Sequence, residues 1–144
     1  MGKVAALQMN PTKGLMPWEC RSLVTDAVLA SFSLQSKGNQ LPKRIPTSSV
    51  FGAFHQLKDK YPEWLSSLYF EKGAEVYVSK QLEDVLFALG AFGLVTVENH
   101  DYRYLSIDSE AKRQIKKQVL KRLSKHKLGV LKAMSNEFAG IVNR

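Results

Sequence analysis

Residues 78–107, VSKQLEDVLFALGAFGLVTVENHDYRYLSI, place a helical pattern directly before two strand patterns, and no other segment limits the fold as strongly. Ser79 can cap a helix here, and Gly93 suits the left-handed backbone position at which helices often end. The segments LVTVE and YRYLSI are rich in β-branched and aromatic residues and flank NHD, a pattern that predicts a β-hairpin. A helix followed at once by a hairpin is typical of winged helix-turn-helix domains.

The rest of the chain has helical periodicity that turn residues interrupt. Gly38, Pro42 and Pro46 predict that KGNQLPKRIP is a loop, because proline cannot continue the hydrogen-bond ladder of a helix. Thr47 or Ser48 can cap the helix that follows this loop, and the alternation in AEVYV is typical of a short strand. The spacing of apolar residues predicts helices over about residues 18–36, 47–61, 62–73, 79–92, 109–125 and 128–141.

This order of elements predicts a mainly α chain with a small β-hairpin, an α+β fold in which a winged helix-turn-helix precedes a helical C-terminal arm. The expected organisation is a partner-docking N-terminal segment 1–17, a winged-helix domain 18–108 and a basic helical arm 109–144. Trp64 and Tyr69 fall on one face of the predicted third helix; whether they lie in the core or at an interface stays open, with the core as the default.

The formal net charge of +8 is concentrated in one segment. Residues 111–132 hold nine lysines and arginines and no acid, whereas the rest of the chain has 12 basic and 13 acidic residues. This pattern fits either an ordinary solvated helix face or a track that binds nucleic-acid phosphates without reading sequence. The candidate phosphate contacts are Lys112, Arg113, Lys116, Lys117, Lys121, Arg122 and Lys125.

The helix predicted over residues 79–92 has a composition that does not suit binding in a DNA groove. Its polar positions are Lys80, Gln81, Glu83 and Asp84, and one lysine against two acids does not favour phosphate binding. The other positions are apolar over most of the circumference, which is typical of a buried helix or of one that meets a partner. Two interpretations therefore stay open, a docking face for another protein or a filled core, and they concern Leu86, Phe87 and Phe92.

Other residue patterns argue against catalysis, bound metal and a membrane span. The single cysteine, Cys20, cannot form an intramolecular disulfide, and the three histidines lack the spacing of a zinc site, which fits a reducing cytoplasm. His100 lies between Glu98 and Asp101, and this stretch is interpreted as a turn rather than as a metal site or a general base. The longest apolar run is too short to cross a bilayer, and no export signal, phosphate loop or nucleophile elbow is found. The chain is expected to be a cytoplasmic non-enzyme without a cofactor.

Two segments resemble a known family. NPTKGLMPWECRSLV has Pro11-Thr12-Lys13, then Pro17, then Arg21-Ser22-Leu23 at the start of a helix, and LEDVLFALGAFGLVTVE has a polar start, an apolar helix and a glycine-led strand. This pairing is similar to the small winged-helix middle components of three-component ABC-ATPase systems, the Lamassu-like, SMC-related anti-phage and anti-plasmid defence systems. The loop KGNQLPKRIP and the basic C-terminal segment depart from the family pattern.

The resemblance implies a non-catalytic subunit that joins an SMC-like ATPase subunit to an effector nuclease subunit. ATP hydrolysis and DNA cutting would then belong to other chains, and the basic segment could contact double-stranded DNA nonspecifically or an acidic partner surface. The residues that this interpretation assigns to partner docking are Pro11, Thr12, Lys13, Arg21, Leu86, Phe87 and Phe92.

A second interpretation is a DNA-binding transcription regulator. In that case the C-terminal helices form a homodimer, as the arms of winged-helix regulators often do. A symmetric dimer predicts a palindromic site with half-sites separated by about one helical turn of DNA.

Overall fold

The structure, a computed structural model, describes residues 22–73, 77–91, 93, 96–98 and 104–144. These residues are mainly helical and include small antiparallel sheets, so the expected mainly α, α+β class is confirmed. In chain order the elements are α1 (Leu23–Ser33), β1 (Ile45–Pro46), α2 (Thr47–Lys60), α3 (Pro62–Leu65), β2 (Glu71–Lys72), β3 (Tyr77–Val78), α4 (Lys80–Ala91), β4 (Thr96–Glu98), β5 (Tyr104–Ser106), α5 (Ser109–Arg122) and α6 (Lys125–Val142).

Helix α1 is the centre of the fold. Every residue from Val24 to Gln35 is buried, and α3, α4, α5 and α6 all pack against this one helix. Ser22 has an extended backbone and its Oγ accepts a hydrogen bond of 3.0 Å from the Thr25 amide, which fixes the helix start at Leu23. The helix is therefore shorter than the predicted span 18–36, and residues 18–21 lie outside the described part of the chain.

A three-stranded antiparallel sheet lies beside the helices in the order β1-β5-β4. Leu105 in β5 stands opposite Ile45 on one side and Val97 on the other, and both Ile45 and Leu105 are buried. The predicted hairpin is confirmed in β4 and β5, whereas its turn NHD lies outside the described residues. Strand β1 falls in the segment predicted to be a loop, because two residues that end in Pro46 carry no strand pattern.

The predicted helix 62–73 is wrong beyond its first turn. Helix α3 ends at Leu65, and the chain then forms β2, which pairs with β3 as a second hairpin. His55 of α2 holds this hairpin, because its ring stacks on Tyr77 at 3.9 Å and meets the edge of Phe70 at 5.1 Å. Trp64 in α3 is buried, whereas Tyr69, which follows α3, is exposed.

Short-range hydrogen bonds set most of the helix ends. Asp108 caps α5, since its Oδ1 accepts a 2.7 Å hydrogen bond from Ala111, and Gly93 has the predicted left-handed backbone with φ 74°. Ser124 caps α6 through a 3.3 Å bond from Lys127, so α5 ends at Arg122 and the predicted continuation to Lys125 is wrong. Helix α2 begins at Thr47 without the side-chain cap predicted for Thr47 or Ser48.

The C-terminal helices share the core of the preceding domain and are not an arm that extends from it. Phe138 of α6 lies between two aromatic rings, with its centroid 5.6 Å from that of Phe32 in α1 and 5.1 Å from that of Phe54 in α2. Ile115 and Val119 bring α5 into the same hydrophobic cluster. Residues on both sides of the boundary expected between residues 108 and 109 therefore pack into one hydrophobic core.

Replacing Phe138 by alanine tests this shared core. The Phe138→Ala variant removes a fully buried ring that contacts both α1 and α2, so we expect the free energy of unfolding to fall by about 3 to 5 kcal/mol. Urea unfolding followed by circular dichroism measures this change in one transition for the whole chain.

The matched control is Phe87→Ala, because the Phe87 side chain is exposed on α4. This variant should lose less than about 1 kcal/mol. If Phe138→Ala cost no more than the control, or if residues 109–144 unfolded in a separate transition, the shared core would be refuted.

Candidate functional site

The described residues present two charged surfaces that bear on function, and the first is the outer face of α4. The α4 face comprises Lys80, Glu83, Asp84 and Phe87, which recur at helical spacing and are exposed, while the opposite side of the helix packs into the core. Phe87 is 54% exposed, which keeps it a candidate for docking. Leu86 is only 6% exposed and belongs to the core, so its assignment to partner docking is wrong.

The α4 face carries more acidic than basic side chains. The Lys80 ammonium lies 3.1 Å from the carboxylate of Asp84 and 3.5 Å from that of Glu83. Its hydrogen bond to Asp84, with the charges of both acids, raises the pKa of Lys80. The one lysine on this face is thus occupied by two carboxylates, and the face offers no free cation to a phosphate group.

The start of α4 is tied to the loop that precedes β2. Ser79 Oγ accepts a 3.3 Å hydrogen bond from the Leu82 amide and donates one of 3.0 Å to Gln81 Oε1. The same Gln81 oxygen accepts a 3.2 Å bond from the Tyr69 amide. These contacts bring Tyr69, whose side chain is 64% exposed, close to the first turn of α4. The sequence left the choice between core and interface open for Tyr69, and its exposure contradicts the core default.

The seven candidate phosphate contacts do not form one track. The buried side of α5 carries Ala111, Ile115 and Val119, and at 100° per residue the positions opposite to it are Arg113, Lys117 and Lys121. Lys112 and Lys116 lie on the flank of the helix, Lys125 belongs to α6, and Arg122 points to the buried side.

Arg122 forms an internal ion pair. Its Nη2 lies 3.2 Å from Oδ1 of Asp26 in α1, and the two side chains are only 16% and 12% exposed. The assignment of Arg122 to phosphate contact is therefore wrong, because the guanidinium is enclosed and neutralises a carboxylate of the central helix. The sequence could not indicate this pairing, since the two residues are far apart in the chain.

The remaining candidate phosphate contacts differ in whether their charge is already paired or partly buried. Arg113 forms an ion pair with Glu110 one turn earlier in α5. Burial, together with the positive charge of Lys116, lowers the pKa of Lys112. In contrast, four exposed lysines have no ion pair with any described residue, and these are Lys116, Lys117, Lys121 and Lys125.

The second charged surface is a cleft between the end of α1, α5 and α6. This lysine cleft has a volume of about 340 Å³ and is lined by Lys37, Lys116 and Lys132 together with Leu120 and Leu128. Only Lys116 was among the predicted site residues. Lys37 and Lys132 were missed because the loop and α6 reach the flank of α5 only in the folded chain.

A third polar cluster, at the junction of α2 and α6, is structural. Glu137 accepts hydrogen bonds from Tyr61 and from Lys60, whose ammonium lies 2.7 Å away. Burial and the bond to Glu137 raise the pKa of Tyr61 to about 12. Burial alone would raise the pKa of Glu137, but the hydrogen bonds from Lys60 and Tyr61 outweigh it and the pKa is lowered. The cluster therefore stabilises the carboxylate and the neutral phenol side by side.

Several predicted site residues fall outside the described part of the chain, and they are Pro11, Thr12, Lys13, Arg21 and Phe92. Within the described ranges no group of three or more His, Cys, Asp and Glu side chains could hold a metal ion. None of the helices in these ranges combines the length and the apolar character needed to cross a membrane. Comparisons with models of protein families, with curated proteins and with solved structures found no match.

Removing the Arg122 guanidinium should destabilise the fold. We expect Arg122→Ala to lower the free energy of unfolding by about 2 to 3 kcal/mol, which is less than for a fully enclosed pair because both side chains retain some solvent contact. Arg113→Ala removes the exposed pair with Glu110 on the same helix and should cost less than about 1 kcal/mol. Equal losses in urea unfolding would contradict the structural role of Arg122.

Tyr61 should make stability sensitive to alkali. Because its pKa is about 12 in the folded chain and 10.0 ordinarily, the stabilisation it provides is complete below pH 10.0 and is lost as the pH rises towards 12. The difference in free energy of unfolding between the unmodified chain and Tyr61→Phe should therefore shrink over this window. Tyr69→Phe, an exposed control, should give a difference that does not change with pH.

Proposed function

We propose that this chain is a non-catalytic accessory subunit, built on a winged-helix domain, that links an SMC-like ABC ATPase to an effector nuclease in a prokaryotic defence complex. The proposal joins the resemblance of two sequence segments to the surface chemistry of the described residues. It places the protein in the cytoplasm and assigns the chemistry to partner chains.

The winged-helix part of the proposal is supported by the order and pairing of elements. Helices α1, α2 and α4 precede a hairpin, and the short strand β1 pairs with the second strand of that hairpin, as the first strand does in winged-helix sheets. In such a domain α4 occupies the place of the helix that enters the major groove of DNA. Helix α3 and the β2–β3 hairpin are then an insertion between the second and third helices.

The observation that carries the proposed docking role is the exposed ring of Phe87, one helical turn from the acidic side chains of Glu83 and Asp84. A recognition helix needs basic and polar groups for phosphates and base edges, whereas the α4 face has an excess of acid and one large aromatic residue. Exposed aromatic residues with polar neighbours are the usual energetic centres of protein interfaces. Exposed Tyr69, close to the start of α4, extends the surface.

A contact with double-stranded DNA is a secondary part of the proposal. Lys117 and Lys121 point away from the core on α5, and Lys125 is exposed at the start of α6. Free ammonium groups of this kind contact phosphates without reading sequence, and their binding weakens as salt rises. DNA held by the complex could therefore meet this side of the subunit.

The alternative function, a homodimeric transcription regulator, would need C-terminal helices that are available for a second copy. The apolar side of α6 is already used inside its own chain, because Leu131, Met134 and Phe138 are fully buried. Helix α6 is thus a poor dimerisation arm, and the interaction subunit is the better supported of the two functions.

The test of the proposed function is co-expression with the neighbouring genes, purification at moderate salt and native mass spectrometry. We expect a complex of fixed stoichiometry with a large ATPase. Phe87→Asp should remove the ATPase from the complex while circular dichroism shows an intact fold, because the substitution places a charge where an apolar contact forms.

The matched control is Leu23→Asp, since Leu23 is similarly exposed, at 47%, but lies on α1. This variant should keep the complex. A lone symmetric homodimer that prefers one palindromic DNA site at least roughly a thousandfold over random duplex would contradict the proposal and support the regulator.

A further inference from the structure

The lysine cleft concentrates positive charge that no described acid neutralises. Lys37 follows α1, Lys116 lies on the flank of α5 and Lys132 lies on α6, so three separate parts of the chain each contribute a lysine to the lining of one depression. None of the three forms an ion pair with the described residues. The lowered pKa of Lys112 reflects, after burial, the positive charge of neighbouring Lys116.

The lining of the cleft is also partly apolar. Leu120 is 49% exposed and Leu128 is partly buried against the core, and both line the cleft together with buried Leu34. No aromatic side chain lines it. Lysines around exposed leucines match a ligand that carries both negative charge and an aliphatic group.

Gln35 belongs to the buried floor of the cleft. The residue is only 9% exposed, and its Nε2 donates a hydrogen bond to the carbonyl of Ser31. Its Oε1 is closed to solvent and is not a contact for a ligand. The lysines and leucines are therefore the part of the lining that selects an occupant.

Hydrogen bonds between α1 and α6 fix the shape of the cleft. Asn136 accepts a 2.9 Å bond from the Ser36 amide and donates one of 3.1 Å to Ser36 Oγ. Ser135 Oγ donates to the Ser31 carbonyl at 3.3 Å. The cleft is therefore formed before any ligand arrives, which limits the entropy lost on binding.

We infer that the lysine cleft is a docking site for an acidic segment of a partner protein, in which Asp or Glu residues flank a leucine-like side chain. The carboxylates pair with Lys37, Lys116 and Lys132, and the aliphatic side chain packs on Leu120 and Leu128. Charge complementarity and the apolar contact together select this occupant.

A nucleic-acid backbone fits the same residues less well. Phosphates would pair with the lysines, but they would leave both leucines without an apolar partner. Single-stranded nucleic acids bind through stacking of bases on aromatic rings, and such rings are missing from the lining. The proposed DNA contacts at Lys117, Lys121 and Lys125 are not part of the lining of the cleft.

This inference deepens the proposed function, on which it rests, by giving the subunit a second docking site with a partner of opposite charge. The α4 face is acidic and aromatic, whereas the cleft is basic and aliphatic, so the two sites select different partners. Loss of the ATPase in Phe87→Asp and loss of peptide binding at the cleft are separate readouts. One can fail while the other succeeds.

The test is an NMR titration of the isotope-labelled full chain with a short synthetic peptide of alternating glutamate and leucine. Saturable shift changes are expected at the amides of Lys37, Leu120, Leu128 and Lys132. Lys132→Glu should weaken peptide binding about tenfold or more, because a repulsive charge replaces an attractive one. Lys127→Glu, on the same helix but outside the cleft, makes the same change in net charge and should leave binding within about twofold of the unmodified chain.

Two further ligands separate the alternatives. A peptide with serine in place of leucine should bind more weakly, and a short DNA duplex should shift the amides of Lys117 and Lys121 rather than those of the cleft. The inference is overturned if the acidic peptide gives no saturable shifts at the cleft. It is also overturned if the duplex or inorganic phosphate shifts the cleft residues at lower concentration than the peptide does.

Discussion

Burial of α1 from Val24 to its end is the constraint on which the rest of the structure depends. This helix is covered by α3, α4, α5 and α6, yet it contains Asp26, a carboxylate that cannot be buried without a counter-charge. Arg122 supplies that charge from the last turn of α5 and so fixes how α5 lies on α1. Ser135 and Asn136 of α6 bind the other end of α1 through hydrogen bonds. The polar requirements of one helix therefore position both C-terminal helices.

Sequence reasoning succeeded where structure is set locally. Ser79 caps the helix that its position predicts, Gly93 adopts the left-handed conformation, and the strand patterns before and after NHD pair as expected. Each of these features needs only contacts within a few residues. The predicted apolar stripe of α6 is likewise buried at Leu131, Met134 and Phe138, because a 3.6-residue period alone identifies the side of a helix that packs.

Where the outcome depends on distant residues, the same reasoning failed. Strand β1 exists because Ile45 pairs with Leu105, about sixty residues later, whereas Gly38 and two prolines in the segment itself suggest a loop. The helical spacing of Trp64, Leu65 and Leu68 is real, but α3 ends at Leu65 and Leu68 is buried from the segment that follows the helix. Arg122 carries the same charge as the other basic residues of its segment, and its ion pair with Asp26 depends on a residue far away in the chain. The lysine cleft combines three elements and so has no signature in any single segment.

The basic residues that account for the net charge of +8 lie in three different environments of the fold. Read along the chain, the lysines and arginines form one block that suggests one nucleic-acid surface. In three dimensions Arg122 is neutralised inside the fold, Lys116 joins Lys37 and Lys132 at the cleft, and Lys117 and Lys121 face outward. Net charge can favour association with an acidic partner of any kind, but the apolar and hydrogen-bonding groups beside each charge decide which class binds.

Because the α4 face and the cleft belong to elements that pack on the same buried α1, partners bound to both would be held at a fixed separation. A subunit that presents two such preformed surfaces raises the effective concentration of one partner for the other, which is the physical basis of the proposed linking role.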